Sequence, residues 1–341
     1  MYGLIDNDAT THAFAHLPGQ ELRGLGTGPV QPSVADAAAF DQRPDSAHRR
    51  HGRYHGAHQE NEREFCARIG RFAVRSLYAE LSLYPKPGLV SLLDNGSHTD
   101  MTADTFMRSM FALRHYFVRI TQAGMDGAPF AKLAALGVDA ERRMLRATGG
   151  INTHRGAIFG LGLLSAALGA CHADNASVGK TMTAVDIRTA LVAHWGAALA
   201  AHAHPGAAES HGTRVTQRYQ VGGARQEAAR GMPAVFDVAL PALRQARAAG
   251  RGLRRARVDA LFALMAHISD TNVYHRGGAN GALTVRQHAS DFLLAGGTAA
   301  PDWEARAAAC HRLFVRHRLS PGGAADLLAA ACLVDAATGG T

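Results

Sequence analysis

The sequence has few of the features that mark secreted, disulfide-stabilised or membrane-spanning proteins. Its cysteines stand apart among apolar residues, without a C-x-x-C pair, at Cys66, Cys171, Cys310 and Cys332. This pattern predicts free, buried thiols rather than a disulfide framework or a cysteine zinc site. We expect no apolar run to reach the ~18 residues that cross a bilayer, and the acidic N-terminus does not resemble a secretory signal. We therefore expect a cytoplasmic protein without membrane attachment.

Charged residues are scarce as well. They make up 19% of the 341 residues, and the 36 basic residues exceed the 28 acidic ones to give a net charge of +8. Only Lys86, Lys132 and Lys180 are lysines, so nearly all of the positive charge is arginine. Arginine binds phosphate through a planar pair of donors, which is compatible with a polyanionic small substrate. A nucleic acid is the alternative, but the charge is spread along the chain and aromatic residues reach only 6%, so we do not expect one.

The chain divides into two regions by composition. Residues 1–60 hold six of the 19 histidines and lack a sustained apolar period, which predicts a disordered or loosely attached extension. From residue 61 to 338 apolar residues recur at helical spacing, as in the series Phe65, Ile69, Ala73, Leu77 and Leu81. No run of alternating β-branched residues is present. The sequence thus predicts an all-α fold, a single domain of about ten helices around a central Ala/Gly-rich helix near residues 156–171.

The polar segments between these helices carry the candidate chemistry. In residues 84–100, Lys86 stands between two prolines, Glu80 lies just before the segment, and Asp94 and Asp100 follow. A stiff, ordered loop of this length favours a functional role. The alternative is a structural crossover in which the two aspartates cap turns and the next helix.

A second segment, residues 147–156, runs into the central helix. His154 and Arg155 at a helix start, with free backbone N–H groups, would form an anion site. The alternative is an ordinary helix start capped by Asn152 or Thr153. The segment is not a Walker loop, since no Gly-Lys-Ser/Thr follows its glycines.

Two further segments combine acids with glycines. In residues 269–278, the oxygens of Asp270 and Asn272 can reach one hard cation, and the run His275, Arg276, Gly277 and Gly278 can bind phosphate. A helix C-cap is the alternative. Residues 320–326 read as a helix start with serine as the N-cap, and the aspartate that ends this segment is either a surface acid or an inward, paired one. A weaker segment, residues 210–227, is either a mobile flap or a surface loop.

Together these segments supply the chemistry of a Mg²⁺–polyphosphate site. Carboxylates hold the cation, while cationic side chains and backbone amides hold the phosphates. The carboxylates available are Glu80, Asp94, Asp100, Asp270 and Asp326. This chemistry does not by itself say which bond is broken.

The motifs, taken in order, resemble those of the triphosphoribosyl-dephospho-coenzyme A synthase family. The resemblance rests on Pro-Lys-Pro-Gly-Leu-Val-Ser at residues 85–91, Asn-Gly-Ser-His-Thr-Asp-Met at 95–101, and Ile-Asn-Thr-His-Arg-Gly-Ala-Ile-Phe at 151–159. It also rests on Asp-Thr-Asn at 270–272, His-Arg-Gly-Gly at 275–278 and Ser-Pro-Gly-Gly-Ala-Ala-Asp-Leu-Leu at 320–328. It covers about residues 63–335. Leu92, where the family pattern has proline, and Gly150 depart from that pattern without removing a chemical group.

The resemblance implies a pentosyl transfer. ATP loses adenine, and the 2′-hydroxyl of 3′-dephospho-CoA attacks the ribose anomeric carbon to give 2′-(5″-triphosphoribosyl)-3′-dephospho-CoA. A separate holo-acyl-carrier-protein transferase would then receive this product, which is the precursor of the prosthetic group of malonate decarboxylase or citrate lyase. Residues 80–101 are more similar to the malonate decarboxylase branch.

Within this resemblance, the chemistry suggests individual roles. Mg²⁺ is assigned to Asp94, Asp100 and Asp270, with Asn272 assisting. The base for the attacking hydroxyl is Glu80 or Asp100, Asp270 is counted as catalytic, and His154 or His98 would protonate adenine. Lys86, Arg155 and Arg276 would hold the triphosphate. The remaining expected substrate contacts are Ser91, His98, Asn152, Asn272, His275, Gly277 and Gly278.

The main alternative is an all-α, metal-dependent nucleotide phosphohydrolase. Such enzymes often carry an adjacent His-Asp pair, and this chain has no His-Asp dipeptide. Terpene-synthase-like chemistry would need an aspartate-rich helix, and no Asp-Asp pair is present. Release of free adenine from ATP only in the presence of dephospho-CoA would distinguish the synthase from these alternatives.

Overall fold

The computed structural model describes residues 47–175, 182–203 and 223–339, and every regular element in these ranges is helical. The α-helices are α1 (Ala47–Leu81), α2 (Ala103–Met125), α3 (Phe130–Thr148), α4 (Arg155–Asn175), α5 (Ala184–Ala203), α6 (Ala224–Ala229), α7 (Leu240–Ala248), α8 (Gly252–His267), α9 (Thr271–Leu294), α10 (Trp303–Arg316) and α11 (Gly322–Ala337). A π-helix, Ala234–Ala239, runs into α7, and a short 3₁₀-helix, Gly297–Ala299, follows α9. The prediction of an all-α domain is confirmed.

Helix α1 places its predicted apolar stripe in the core. Phe65, Ile69, Ala73, Leu77 and Leu81 are each no more than 5% exposed. The helix itself begins at Ala47, inside the stretch that composition assigns to an extension. Residues 1–46, and most of the weak segment at 210–227, lie outside the described residues. The division of the chain at residue 60 therefore stays a prediction.

Helix α4 is the centre of the fold, as its Ala/Gly content predicts. It packs against α1, α2, α3, α5 and α11. Its approach to α2 depends on glycine, because a Cβ on Gly124 would lie 2.0 Å from the carbonyl oxygen of Ala166. Likewise, a Cβ on Gly169 would lie 2.1 Å from the carbonyl oxygen of Thr121. Any larger residue at either position would force these two helices apart.

The apolar character of α4 corrects one expectation from the sequence. Its stretch Arg155–Asp174 is long and apolar enough to cross a membrane by length and composition, whereas we expected no such run. In the structure 83% of this stretch is buried by the rest of the protein. Its position at the centre of the helical core therefore accounts for its composition.

The loop between α1 and α2 is held against the turn that precedes α11. Gly88 in this loop has a φ of 70°, and a Cβ there would lie 2.1 Å from the carbonyl oxygen of Leu319. Glycine alone combines this backbone conformation with such a close approach. The Ser97 hydroxyl also donates a hydrogen bond of 2.6 Å to the Leu319 carbonyl, 222 positions away in sequence. These contacts bring the polar loop to the start of α11.

Candidate functional site

The ends of several helices bring together five ionisable side chains, which we call the charged cluster. Glu80 lies in the last turn of α1, Lys86 lies in the loop that follows, and His154 directly precedes α4. Asp270 caps α9, and Asp326 lies in the first turns of α11. Lys86 interacts electrostatically with Glu80 and with His154. Asp326 interacts with Glu80 and with Asp270. The five side chains of the cluster are thus linked by electrostatic interactions.

Lys86 and Glu80 form a buried ion pair. Their side chains are 1% and 7% exposed, and the Lys86 Nζ donates to Glu80 Oε1 at 2.5 Å and to the Glu80 carbonyl oxygen at 3.0 Å. Burial lowers the pKa of Lys86, while the carboxylates of Glu80 and Asp94 oppose this effect. The predicted phosphate-binding lysine and one of the two predicted bases are therefore partners of each other.

Asp270 joins the starts of two helices. Its Oδ1 accepts a hydrogen bond of 2.9 Å from the backbone N–H of Asn272 in α9, and its Oδ2 accepts one of 3.1 Å from the N–H of Ala324 in α11. Burial raises the pKa of Asp270, and these backbone donors counteract the rise. The N-cap position of α11 is Pro321, without a side-chain cap. The prediction that Ser320 caps this helix is therefore wrong, because Asp270 supplies the acceptor from another segment.

Asp326 belongs to the cluster although the sequence analysis gave it no individual role. Its carboxylate accepts a hydrogen bond from the backbone N–H of Ala157, in the first turn of α4. A Cβ on Gly156 would lie 2.1 Å from Asp326 Oδ2, so this approach requires glycine. Burial, and then the carboxylates of Glu80 and Asp270, raise the pKa of Asp326 well above its ordinary value. Its position near the start of an Ala/Leu-rich helix was the available sequence signal.

The charge balance of the cluster suits a divalent cation bound together with phosphate. The carboxylate of Asp326 interacts electrostatically with those of Glu80 and Asp270, and the Lys86 ammonium is paired with Glu80. Within the part of the chain that the structure describes, no three His, Cys, Asp or Glu side chains form a ready-made metal cage. Mg²⁺ is usually held by one or two carboxylates together with the phosphates of a nucleotide. The carboxylates present fit this mode of binding.

Ser91 and Asp94 shape the loop after α1. The Ser91 hydroxyl accepts hydrogen bonds of 3.2 Å from the backbone N–H groups of Leu93 and Asp94. Asp94 Oδ1 accepts one of 2.8 Å from the N–H of Gly96 and lies 3.4 Å from Nε2 of His311. Asp94 thus has the turn-forming contact that we considered as the alternative to a binding role, and Ser91 stabilises the same turn. Asp94 also lies close enough to Lys86 to affect its pKa.

Arg155 is paired with a carboxylate that the sequence analysis missed. Its Nε and Nη2 lie 2.7 and 2.6 Å from Glu141 Oε1, and both side chains are 6% exposed. Asn152 Oδ1 accepts a hydrogen bond of 3.2 Å from the Arg155 N–H, as a helix cap does. The guanidinium that we expected to hold triphosphate is therefore already neutralised by Glu141. Glu141 lies on α3, and no periodic pattern in the sequence points to this pairing.

A second polar group connects the α1–α2 loop with α9 and α11. His98 lies between Ser320 Oγ, 2.8 Å from its Nε2, and Arg276 Nη2, 3.0 Å from its Nδ1. Asp100 Oδ1 is 3.7 Å from the same Nδ1, and Arg276 also donates to the Ser97 carbonyl at 3.0 Å. Burial and the Arg276 charge lower the pKa of His98 to about 4. The imidazole is therefore neutral at pH 7 and accepts from Arg276.

The glycines of residues 275–278 give α9 an irregular start. Gly278 has a φ of 60° and a ψ of −159°, which interrupts the helix. A Cβ on Gly277 would lie 2.5 Å from Leu319 Cδ2. Asn272 and His275 are exposed. The segment is thus the N-terminal part of α9, not the helix C-cap that we considered as the alternative.

His154 is the least exposed of the predicted catalytic groups. The residue is 2% exposed, its Nδ1 lies 2.6 Å from the Ser109 hydroxyl, and the Phe106 ring meets the imidazole edge-on at 4.9 Å between centroids. Burial and the nearby Lys86 ammonium lower the pKa of His154 to about 3. The ring is therefore neutral at pH 7 and can donate or accept a hydrogen bond, but it carries no second proton to transfer.

Comparisons with known proteins agree with the motif resemblance. The model of the CitG family, ATP:dephospho-CoA triphosphoribosyl transferase, matches residues 66–340. The chain is 40% identical over 265 residues to the probable 2-(5''-triphosphoribosyl)-3'-dephosphocoenzyme-A synthase of Acinetobacter calcoaceticus, covering 78% of this chain and 89% of that protein. It is 40% identical over 279 residues to the protein of the same name from Stutzerimonas stutzeri (strain A1501), covering 80% and 92%. No solved structure matches. The chain belongs to the ATP:dephospho-CoA triphosphoribosyl transferase family.

Proposed function

We propose that this protein transfers the 5-triphosphoribosyl group of ATP to the 2′-hydroxyl of 3′-dephospho-CoA and releases adenine. The observation that supports this function best is the charged cluster of Glu80, Lys86, His154, Asp270 and Asp326, since it combines excess carboxylate with an ammonium group and a neutral imidazole. A magnesium-bound triphosphate would complement these charges.

The reaction sets three requirements. The oxygen of the attacking hydroxyl forms a bond to the ribose anomeric carbon while the bond from that carbon to adenine breaks, and an in-line displacement inverts the centre. A base accepts the hydroxyl proton, adenine needs a hydrogen-bond or proton donor as it departs, and the oxocarbenium-like centre needs electrostatic stabilisation, as at inverting glycosidases.

The residues are assigned to these requirements as follows. Glu80 or Asp100 accepts the hydroxyl proton, and Glu80 is favoured because it lies inside the cluster. Lys86 and Arg276 hold the triphosphate, and Arg155 orients the start of α4 through Glu141. His154 and His98 are neutral and therefore act as hydrogen-bond donors or acceptors rather than as proton sources at pH 7.

Magnesium fits the carboxylates of Asp270 and Asp326, whose burial and mutual repulsion a dication would relieve. The motif chemistry also assigns Asp94 and Asp100 to the metal. Asp94 accepts a hydrogen bond from the Gly96 N–H, and Asp100 Oδ1 lies 3.7 Å from His98 Nδ1. Bound to Asp270 and Asp326, Mg²⁺ would neutralise the charge of the triphosphate. The chain's own carboxylates would orient the metal, while Lys86 and Arg276 would bind the phosphates.

The proposed function is tested by incubating the purified protein with ATP, Mg²⁺ and 3′-dephospho-CoA, followed by chromatography and mass spectrometry. We expect equal amounts of adenine and a product that retains all three phosphates. Omitting dephospho-CoA, or adding EDTA, should abolish adenine release, and Mg²⁺ added in excess of EDTA should restore it. Formation of ADP, AMP or free phosphate, without adenine, would instead identify the alternative phosphohydrolase.

A glycine-to-alanine change tests the place of Asp326 in this site. Gly156→Ala puts a methyl group where Asp326 Oδ2 now lies, at 2.1 Å, and should reduce adenine release by about tenfold or more, since small displacements of positioned groups cost up to ~10² in rate. Gly160→Ala, one turn later on α4, meets nothing closer than Met232 Cε at 3.9 Å. It should keep wild-type activity, and its stability should rise by about 0.5–1 kcal/mol. Equal activities of the two variants would argue against Asp326 as a site residue.

We further propose that the product serves malonate decarboxylase rather than citrate lyase, on the similarity of residues 80–101 to that branch. A separate transferase would attach the prosthetic group to the acyl carrier protein, and the reaction would take place in the cytoplasm. Deletion of the gene in the host tests the assignment. It should remove malonate decarboxylase activity and leave citrate lyase activity unchanged, and loss of citrate lyase activity instead would contradict it.

A further inference from the structure

The two ring nitrogens of His154 have different surroundings. Nδ1 lies 2.6 Å from Ser109 Oγ, a hydroxyl on α2 that is completely buried. Nε2 is also buried, and none of the described residues offers it a hydrogen-bond partner. Buried polar atoms without a partner are rare and need an explanation. Among the described residues, the second nitrogen is thus left without a partner and is available to a ligand.

The Ser109 hydroxyl determines which nitrogen of the neutral ring carries the proton. The only hydrogen bond that the structure gives this hydroxyl, within its described ranges, is the one to His154. If Nδ1 carried the proton and donated it, the buried hydroxyl proton would have no acceptor. If Ser109 donates to Nδ1, the hydroxyl is satisfied and the ring proton resides on Nε2. The second arrangement leaves one buried group unpaired instead of two.

With the proton on Nε2, His154 and Lys86 are both donors within the cluster. The ammonium of Lys86 lies close enough to oppose protonation of the ring, and two of its three protons are used by Glu80. A ligand that meets these two donors needs acceptor atoms. A phosphate oxygen of the nucleotide, or a ring nitrogen of its purine, has the required chemistry.

We propose that Ser109 is a positioning residue that fixes neutral His154 as the Nε2–H tautomer, so that Nε2–H donates a hydrogen bond to an acceptor atom of the bound nucleotide. The nucleotide as ligand rests on the proposed function. The tautomer itself does not, because it is a property of the protein alone.

The tautomer is tested first, by NMR of the full-length protein with ¹⁵N-labelled histidine and without any substrate. The His154 signals are identified by their loss in His154→Gln. We expect an unprotonated Nδ1 and a protonated Nε2 at pH 7. A proton on Nδ1, or an imidazolium, would overturn the proposal. Because this measurement uses the wild-type protein, it does not depend on how any Ser109 variant folds.

The ligand is tested next by adding, separately and with Mg²⁺, inorganic triphosphate and adenosine. A shift of the Nε2–H signal with triphosphate supports a phosphate contact, and a shift with adenosine supports a purine contact. If neither of these compounds nor ATP shifts the Nε2–H signal, the donor role is overturned.

Kinetics then separate positioning from mere packing. Ser109→Ala should mix the two tautomers and lower kcat/KM about ten- to a hundredfold, the value of one hydrogen bond to a charged group, while Ser109→Thr should recover activity if it folds. His154→Gln, which keeps an N–H donor, should exceed His154→Ala in activity by about tenfold. Equal activities of the Gln and Ala variants would contradict donation. If wild-type protein releases no adenine at all, the proposed function fails, whereas the tautomer result stands on its own.

Discussion

Replacing Lys86 by methionine is expected to be among the most destabilising single substitutions in this protein. Lys86 is 1% exposed and is the cationic partner of the buried Glu80 carboxylate. Removing one partner of a buried ion pair typically costs ~3–5 kcal/mol, because the other charge is left unpaired in a poorly solvated site. Glu80 would then also face Asp326 without compensation. Chemical denaturation of the wild type and of Lys86→Met at pH 7 measures the loss.

The double variant Glu80→Gln/Lys86→Met is the control for this explanation. Removing both charges leaves a neutral pair, and such replacements of buried ion pairs are often neutral or stabilising. We expect it to recover most of the lost stability while adenine release stays at least a hundredfold below wild type, because both groups act on the substrates. A double variant as unstable as Lys86→Met would show that lost packing, rather than the unpaired charge, causes the effect.

Replacing Asp326 by asparagine is expected to affect activity and stability in opposite directions. The raised pKa of Asp326 means that its charged form is disfavoured in the folded protein, so the neutral amide should stabilise the unliganded protein, by about 1.4 kcal/mol for each pKa unit of the shift. Adenine release should fall at least about a hundredfold, because a metal ion contributes several kcal/mol of charge stabilisation to such transition states. The Mg²⁺ concentration that gives half-maximal activity should rise.

The sign of this stability effect follows from the direction of the pKa shift. In wild type, the stability associated with protonated Asp326 is fully present below the ordinary aspartate pKa of about 3.8 and is lost as the pH rises through the raised native value. The advantage of Asp326→Asn should therefore grow with pH over that interval and then level off. Thermal unfolding of both proteins in Mg²⁺-free buffers across this range checks the trend. A variant that is less stable than wild type at every pH would contradict the crowding of carboxylates.

Asp335 provides a matched control on the same helix. It is 4% exposed, but it is paired with Arg244 at 3.1 Å and with Arg247 at 2.7 Å. Asp335→Asn removes a carboxylate that has cationic partners, so it should lower stability and leave the Mg²⁺ dependence unchanged. The contrast between the two aspartates separates the effect of an uncompensated site charge from that of a structural ion pair.

The fold was largely accessible from the sequence because its signals are local. The four-residue spacing from Phe65 to Leu81 depends only on helix geometry, and the structure buries every member of that series. The small residues of α4 predicted its central place, and the glycine contacts with α2 explain how that place is reached. The same small and apolar residues make the stretch Arg155–Asp174 long and apolar enough to cross a membrane, which we did not expect from the sequence.

The site was accessible only in part, because its pairings join residues that are distant in sequence. The motifs identified Lys86 and Asp270 as site residues. They did not predict that Lys86 pairs with Glu80 or that Asp270 accepts a hydrogen bond from the start of α11. Ser109, which lies 45 positions from His154, carries no signal of its own in the sequence. The protonation states of His154 and His98 depend on burial and on nearby cations, and neither can be read from spacing.

The central claim is that the charged cluster is the place where the nucleotide reacts. A crystal structure with Mg²⁺, dephospho-CoA and a non-reacting ATP analogue tests it most directly. We predict that the triphosphate and the metal lie among Lys86, Asp270 and Asp326, with the ribose C1′ facing the 2′-hydroxyl of dephospho-CoA. A nucleotide bound elsewhere, for example beside Arg244 and Arg247, with the cluster unchanged, would contradict the account.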